Sequence, residues 1–86
     1  MRKLWSERAW DGYLYWQTQN KTTLKRINQL VRDIERGGYE GIGKPEPLCG
    51  DLSGWWSRRI DEANRLVYRI QGENIEIIQC KGHYAP

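Results

Sequence analysis

The chain has 86 residues, with 14 lysines and arginines against 11 aspartates and glutamates, one histidine and a formal net charge of +3. That length allows one domain, spanning residues 1–86, and such a domain buries only about 60–65% of the surface its unfolded form exposes. Two cysteines at unrelated spacing, Cys49 and Cys80, exclude a disulfide framework and give no thiolate metal motif.

No apolar run approaches the roughly 18 residues that a membrane span needs. Arg2 and Lys3 are followed by Leu4, Trp5, Ser6 and Glu7 rather than by the apolar stretch of a secretory leader. A soluble, cytoplasmic protein in a reducing compartment, with no membrane partner, is therefore expected. Five tryptophans and five tyrosines, with no phenylalanine, make the expected core rich in rings that keep one polar edge. The charge excess is compatible with an anionic partner but does not by itself name one.

In chain order, residues 2–5 are short enough for an opening strand, and Ser6 suits an N-cap because its hydroxyl can accept an orphan helix amide. A first helix then runs from Glu7 to about Gln19, with Trp10, Tyr13, Leu14 and Gln17 at the spacing of a buried stripe. Asn20 interrupts the pattern. Thr22 or Thr23 can cap a second helix, whose Leu24, Ile27, Leu30, Val31 and Ile34 fall on one face. Gly37 and Gly38 end it, since glycine takes the left-handed conformation without steric cost. Two helices joined this tightly form an antiparallel hairpin.

Residues 39–54 hold five glycines and two prolines, which predicts a loop with at most one short edge strand near Leu48. Within it, Pro45 and Pro47 fix the backbone on either side of Glu46. Such stiffness would preorganise a catalytic carboxylate, although this segment taken alone favours a rigid exposed turn with an idle glutamate. Beyond it, residues 55–60, 65–70 and 75–84 read as three strands of a meander, joined by Asp61-Glu62-Ala63-Asn64 and Gln71-Gly72-Glu73-Asn74.

The chemistry-bearing residues concentrate in this second half. Arg58, Arg59, Arg65 and Arg69 stand on adjacent strands, where guanidinium forks either solubilise a sheet or surround a phosphate. His83 is the sole imidazole, and one histidine with scattered acids and cysteines makes a poor zinc set. No metal or other cofactor is expected. Glu46, the arginines and His83 together would supply a base, phosphate-stabilising cations and an acid for cleaving a ribose phosphodiester. Convergence depends on strand register, because a one-residue slip sends Arg65 and His83 to opposite faces.

Several blocks resemble one known family in order along nearly the whole chain. LWSERAWDGYLYWQ, GKPEPL followed by DLSGWWSRRI, NRLVY and the terminal HY are similar to the YoeB family of bacterial toxins, within the RelE-like superfamily. The resemblance implies an α+β fold of the RelE-like, microbial-RNase-like type, with two N-terminal helices packed on a twisted, mostly antiparallel sheet. It also implies a type II toxin: a ribosome-dependent, metal-independent endoribonuclease that cuts mRNA in the decoding site and stops translation. The implied partners are a YefM-like antitoxin, the ribosome with its mRNA, and operator DNA only through the antitoxin complex. Surplus tryptophan makes a homodimer a further expectation.

By motif, the resemblance makes Glu46 the general base, His83 the general acid, and Arg65 and Arg59 the phosphate-contacting residues. Tyr84 would shape the site or hold a base. The family commonly has lysine after PEPL, whereas this chain has Cys49, so Lys44 or Arg58 would have to supply the missing cation. The chain also continues past HY to Ala85 and Pro86. Two other readings remain: an antitoxin-binding corepressor with little nuclease activity, and an RNA-binding sheet without catalysis.

Overall fold

The computed structural model describes residues 1–83. The chain runs β1 (Arg2–Trp5), α1 (Glu7–Gln19), α2 (Lys21–Gly37), β2 (Glu46–Pro47), a 3-10 turn (Gly50–Leu52), β3 (Trp56–Arg59), β4 (Arg65–Gln71) and β5 (Asn74–Gln79). Five strands form one sheet in the order β1-β5-β4-β3-β2, in which β1 lies parallel to β5 and every other pair is antiparallel. This is the expected α+β arrangement of two helices against a mostly antiparallel sheet. Among the described residues, no helix is long and apolar enough to cross a membrane.

Ser6 caps α1 as its sequence suggests, its hydroxyl accepting from the Ala9 amide at 3.1 Å. The buried stripe of α1 differs from the expected one. Trp10 and Leu14 are 44% and 41% exposed, and Gln17 is also exposed, while Ala9 and Gly12 are buried and Trp16 packs on the core. The reason is close approach: a Cβ on Gly12 would sit 3.1 Å from Cys80 Sγ and 3.3 Å from Lys81 Cβ. Small residues let the helix settle on the end of β5, where Trp16 Nε1 donates to the Cys80 carbonyl at 2.9 Å. Trp10 instead stacks on Tyr13 at 5.5 Å, outside the core.

A single residue joins the helices, and it is the cap. Asn20 Oδ1 accepts from the amides of Thr22 and Thr23, both at 3.1 Å, so neither threonine takes the capping role. Thr23 is buried instead. Ile27, Leu30, Val31 and Ile34 form the buried face of α2, with Leu24 half-buried above them. Gly38 ends the helix at φ 65°, its amide returning to the Ile34 carbonyl at 2.9 Å. Across the hairpin, Tyr13 donates to Asn28 Oδ1 at 2.9 Å.

Alternation along the sheet separates its faces. Leu66 and Tyr68 of β4, with Ile75 and Ile77 of β5, meet the helices and share one core with Ala9, Ile27, Leu30 and Ile34. Residues of opposite parity on β3 and β4 look away from the helices. The short edge strand is Glu46–Pro47, one or two residues before Leu48, and Leu48 follows it as a buried anchor whose amide donates to the Trp55 carbonyl. Proline suits such an edge because it has no amide to leave unpaired. β5 ends at Gln79, short of the expected residue 84.

Candidate active site

The ladder brings together residues separated in sequence. Glu46 pairs with Ser57, and Arg59 pairs with Arg65. Ser57 and Arg59 are two residues apart on β3, so Glu46, Arg59 and Arg65 share the face turned away from the helices. With strands about 4.8 Å apart and about 3.3 Å per residue along them, the Glu46 and Arg65 backbones lie roughly 12 Å apart. Their side chains can reach one phosphodiester from opposite sides across that span.

Glu46 is exposed at the sheet edge. Its approach loop is fixed from below: the Arg59 amide donates to the Gly43 carbonyl at 2.7 Å, and Gly43 and Lys44 both adopt positive φ, 79° and 51°. Glycine is required at 43, where a Cβ would stand 2.8 Å from Leu30 Cδ2 and 3.2 Å from the Arg59 carbonyl. Lys44 has no such licence, and a left-handed lysine costs about 1–2 kcal/mol. Its side chain is exposed on the segment leading to Glu46.

Arg65 is only 8% exposed, and its guanidinium is anchored at one end. Nη1 donates to the carbonyls of Asp61, Glu62 and Asn64 at 2.6, 3.3 and 3.1 Å. These bonds fix one end of the guanidinium and leave Nε and Nη2 outside that carbonyl cluster. Arg59, directly opposite, is exposed. Two guanidinium groups facing each other make a local positive field that favours an anion between them.

The segment bearing His83 comes beside Arg65 by a route other than a continuous strand. A register shift at Val67/Tyr68 places Gln79 opposite Val67, and residues 80–83 then run past the start of β4 without strand pairing. Gly82 carries the connection: its amide donates to Asn64 Oδ1 at 2.7 Å, and its carbonyl accepts from the Arg65 amide at 3.0 Å and from Gln79 Nε2 at 2.9 Å. His83, exposed, is thus tied next to Arg65. On the other side, Lys81 Nζ lies 4.3 Å from the Tyr15 ring centroid. Tyr84, expected to hold a base, lies outside the described residues.

Arg58 does not join this face, which corrects its expected role as a substrate-binding residue. It is fully buried and directed to the helix side. All five of its N–H donors are used: Nε to Tyr68 Oη at 3.1 Å, Nη1 to Asp33 Oδ2 and to the Ile42 carbonyl at 2.9 Å, and Nη2 to the Gly38 and Glu40 carbonyls at 2.8 and 3.1 Å. The hydrogen bond from Arg58, then that from the Ile42 amide, hold the Asp33 carboxyl below its ordinary range against some burial. Burial moves the Tyr68 phenol the other way, upward. Arg58 therefore organises residues 38–42 of the loop that leads to Glu46 and has no donor left for a substrate.

Asp33, Asn64 and Gln79 carry this scaffolding, and the sequence reading did not single them out. Only Asn64 had a local sign: Asp61 and Asn64 bracket a tight turn in which Asp61 Oδ1 accepts from the amides of Ala63 and Asn64, both at 2.8 Å. Among the described residues, no three histidine, cysteine, aspartate or glutamate side chains gather as a metal site would. Cys49, where the resemblance leads one to expect lysine, is exposed just after buried Leu48.

Known proteins match this fold and this order of residues. The family model for the YoeB-like toxin of bacterial type II toxin-antitoxin systems matches residues 5–84. Toxin YoeB of Escherichia coli strain K12 is 51% identical over 84 residues, covering 98% of this chain and all of that protein. Among solved structures, a YoeB/ParE toxin from Agrobacterium tumefaciens superposes with a TM-score of 0.95 at 44% identity, over 98% of this chain and all of the other. The YoeB of a YoeB-YefM complex from Staphylococcus aureus gives 0.92 at 45% identity, over 98% of each chain. The chain belongs to the YoeB-like toxin family of bacterial type II toxin-antitoxin systems.

Proposed function

We propose that this toxin is an endoribonuclease that cuts mRNA on the ribosome and so stops translation. Glu46 takes the proton of the ribose 2'-hydroxyl, and the freed oxygen attacks the adjacent phosphorus. The Nε–Nη2 edge of Arg65, with Arg59, stabilises the charge on the five-coordinate phosphorus, and Lys44 lies near enough in sequence to add to that field. His83 protonates the departing 5'-oxygen, leaving a 2',3'-cyclic phosphate and a 5'-hydroxyl. Tyr84 would hold a neighbouring base by stacking, a contribution of about 1–3 kcal/mol per base. The attacking group restricts the reaction to RNA.

The observation that carries this reading is Arg65: a guanidinium immobilised through Nη1 by three turn carbonyls, on the same face as Glu46 and beside the segment bearing His83. Preorganised donors of this kind act where charge develops and need no rearrangement during the reaction. Family membership supports the same assignment. We further propose a YefM-like antitoxin as partner, as in the Staphylococcus aureus complex, with the toxin acting in the cytoplasm and meeting operator DNA only through that partner.

The test is cleavage of a defined mRNA on programmed ribosomes, with free mRNA alongside, by the parent and by Glu46→Ala and His83→Gln. Cutting on ribosomes that falls by about 100-fold or more in both variants is expected, since each removes one acid–base partner. A folded parent that does not cut would discard the nuclease reading in favour of an antitoxin-binding corepressor. Equal cutting of free and ribosome-bound mRNA would remove the ribosome dependence.

A further inference from the structure

The His83 segment leaves the sheet at Gln79 and has no strand ladder to hold it. Besides the Arg65 amide and Gln79 Nε2 on the Gly82 carbonyl, a relay of side chains grips its backbone. The Asp61 carboxylate accepts from the Asn64 side-chain amide, with Nδ2 3.0 Å from both Oδ1 and Oδ2. That choice orients the amide: rotated by half a turn, its oxygen would face the carboxylate and two acceptors would oppose each other. With Nδ2 committed to Asp61, Oδ1 points at the Gly82 amide, 2.7 Å away.

The same turn binds Arg65, whose Nη1 donates to the carbonyls of Asp61, Glu62 and Asn64. One five-residue turn therefore sets both the guanidinium and the backbone beside His83. Asp61 is suited to its part. Burial opposes its charge, but hydrogen bonds from Asn64 and Ala63, with Arg65 nearby, outweigh that and keep its carboxyl below the ordinary range.

We propose that Asn64 is a positioning residue of this site: its amide, oriented by Asp61, holds Gly82 and thereby keeps His83 in place relative to Arg65. This rests on the endoribonuclease reading for its catalytic consequence, though not for its structural part. The Asn64 side chain acts on the site through the main chain of Gly82, while its carbonyl is one of the three that hold Arg65 Nη1. Gly82 itself, at φ +85°, adopts a conformation that side chains resist, so the hold has a single suitable backbone to grip.

The experiment compares Asn64→Ala, Asn64→Asp and the double variant Asp61→Asn/Asn64→Asp. Asn64→Ala removes the acceptor. Asn64→Asp keeps it but sets two carboxylates about 3 Å apart, whereas the double variant restores one amide and one carboxylate with their places exchanged. Hydrogen exchange of the Gly82 amide is read by NMR, and ribosome-dependent cleavage is resolved into kcat and KM.

Gly82 exchange should quicken by about tenfold or more in both single variants and return towards the parent rate in the double. Misplacing an acid by about an ångström should lower kcat by about 10- to 100-fold, with KM within about twofold. The double variant should recover most of kcat, which a general loss of stability at either position would not produce. Gly82 exchange unchanged in Asn64→Ala, or a double variant no better than Asn64→Asp, would overturn the relay. A parent that does not cleave would overturn the catalytic consequence, while the exchange rates still decide the hold on Gly82.

Discussion

Replacing Arg58 with alanine separates two roles that one arginine in the WSRRI block could play. Its five donors serve one carboxylate, three loop carbonyls and one phenol, and the residue has no exposed surface. Removing one partner from a buried ion pair costs about 3–5 kcal/mol. The lower end applies here, because Asp33 and the carbonyls of Glu40 and Ile42 belong to residues that retain some contact with water. An 86-residue domain has about 4–13 kcal/mol of stability in total, so a loss of about 3 kcal/mol takes a quarter or more of it. At about 4–8 °C per kcal/mol for a domain this small, the midpoint should fall by about 12–24 °C. Urea titration of the parent, Arg58→Ala, Asp33→Asn and the double variant gives both the cost and the coupling. The double should be less destabilised than the sum of the singles by at least about 1 kcal/mol. Arg58→Ala with stability within about 0.5 kcal/mol of the parent, and with weakened binding of RNA, would refute the structural role and return Arg58 to the substrate.

Gly43→Ala must place a methyl 2.8 Å from Leu30 Cδ2 at φ +79°, and should destabilise by about 1–3 kcal/mol, measured in the same titration. If its stability matches the parent's, the tight fit of loop against α2 is wrong. Burial raises the Cys80 thiol to about 12, while Cys49 is exposed. An alkylating reagent at pH 8 should therefore label Cys49 and spare Cys80 until the protein unfolds, and mass spectrometry reads the position directly. Asp33, Glu35 and Asp61 are all held below their ordinary values, chiefly by hydrogen bonds from Arg58, Lys3 and Asn64. A lowered carboxyl stabilises the fold above its unfolded value and loses that contribution as pH falls through the folded one. Stability should thus hold near pH 5 and decline below about pH 4, with a shallower decline in Asp33→Asn. An equal acid slope in that variant would exclude Asp33 as a contributor.

The sequence made α2 legible because five apolar residues repeat at helical spacing and two glycines close the run. α1 misled because its contact surface is built from what is absent. Ala9 and Gly12 carry almost no hydrophobic signal, whereas the exposed Trp10 and Leu14 carry a large one. Glu46 stood out because its prolines are local. Arg58 and Arg59 could not be told apart, since alternation says that neighbours face opposite ways but not which face a glycine-rich loop will cover with carbonyls. His83 was visible as a lone imidazole, yet its placement depends on a bulge at Val67/Tyr68 and on Asn64 gripping Gly82. Bulges and side-chain grips on distant backbone leave no periodic trace.

The pairing of β1 with β5 joins Arg2 to Asn74, so β1 has no partner until β5 has been made. Until then the two helices have no complete sheet to cover, and the slow, long-range closure waits for β5. Glu46, Arg59 and Arg65 also follow the helices, and the segment bearing His83 comes after β5. Chains released before β5 is made would therefore carry the helices without the proposed site. In a toxin, this order of birth ties the proposed activity to chains whose sheet has closed.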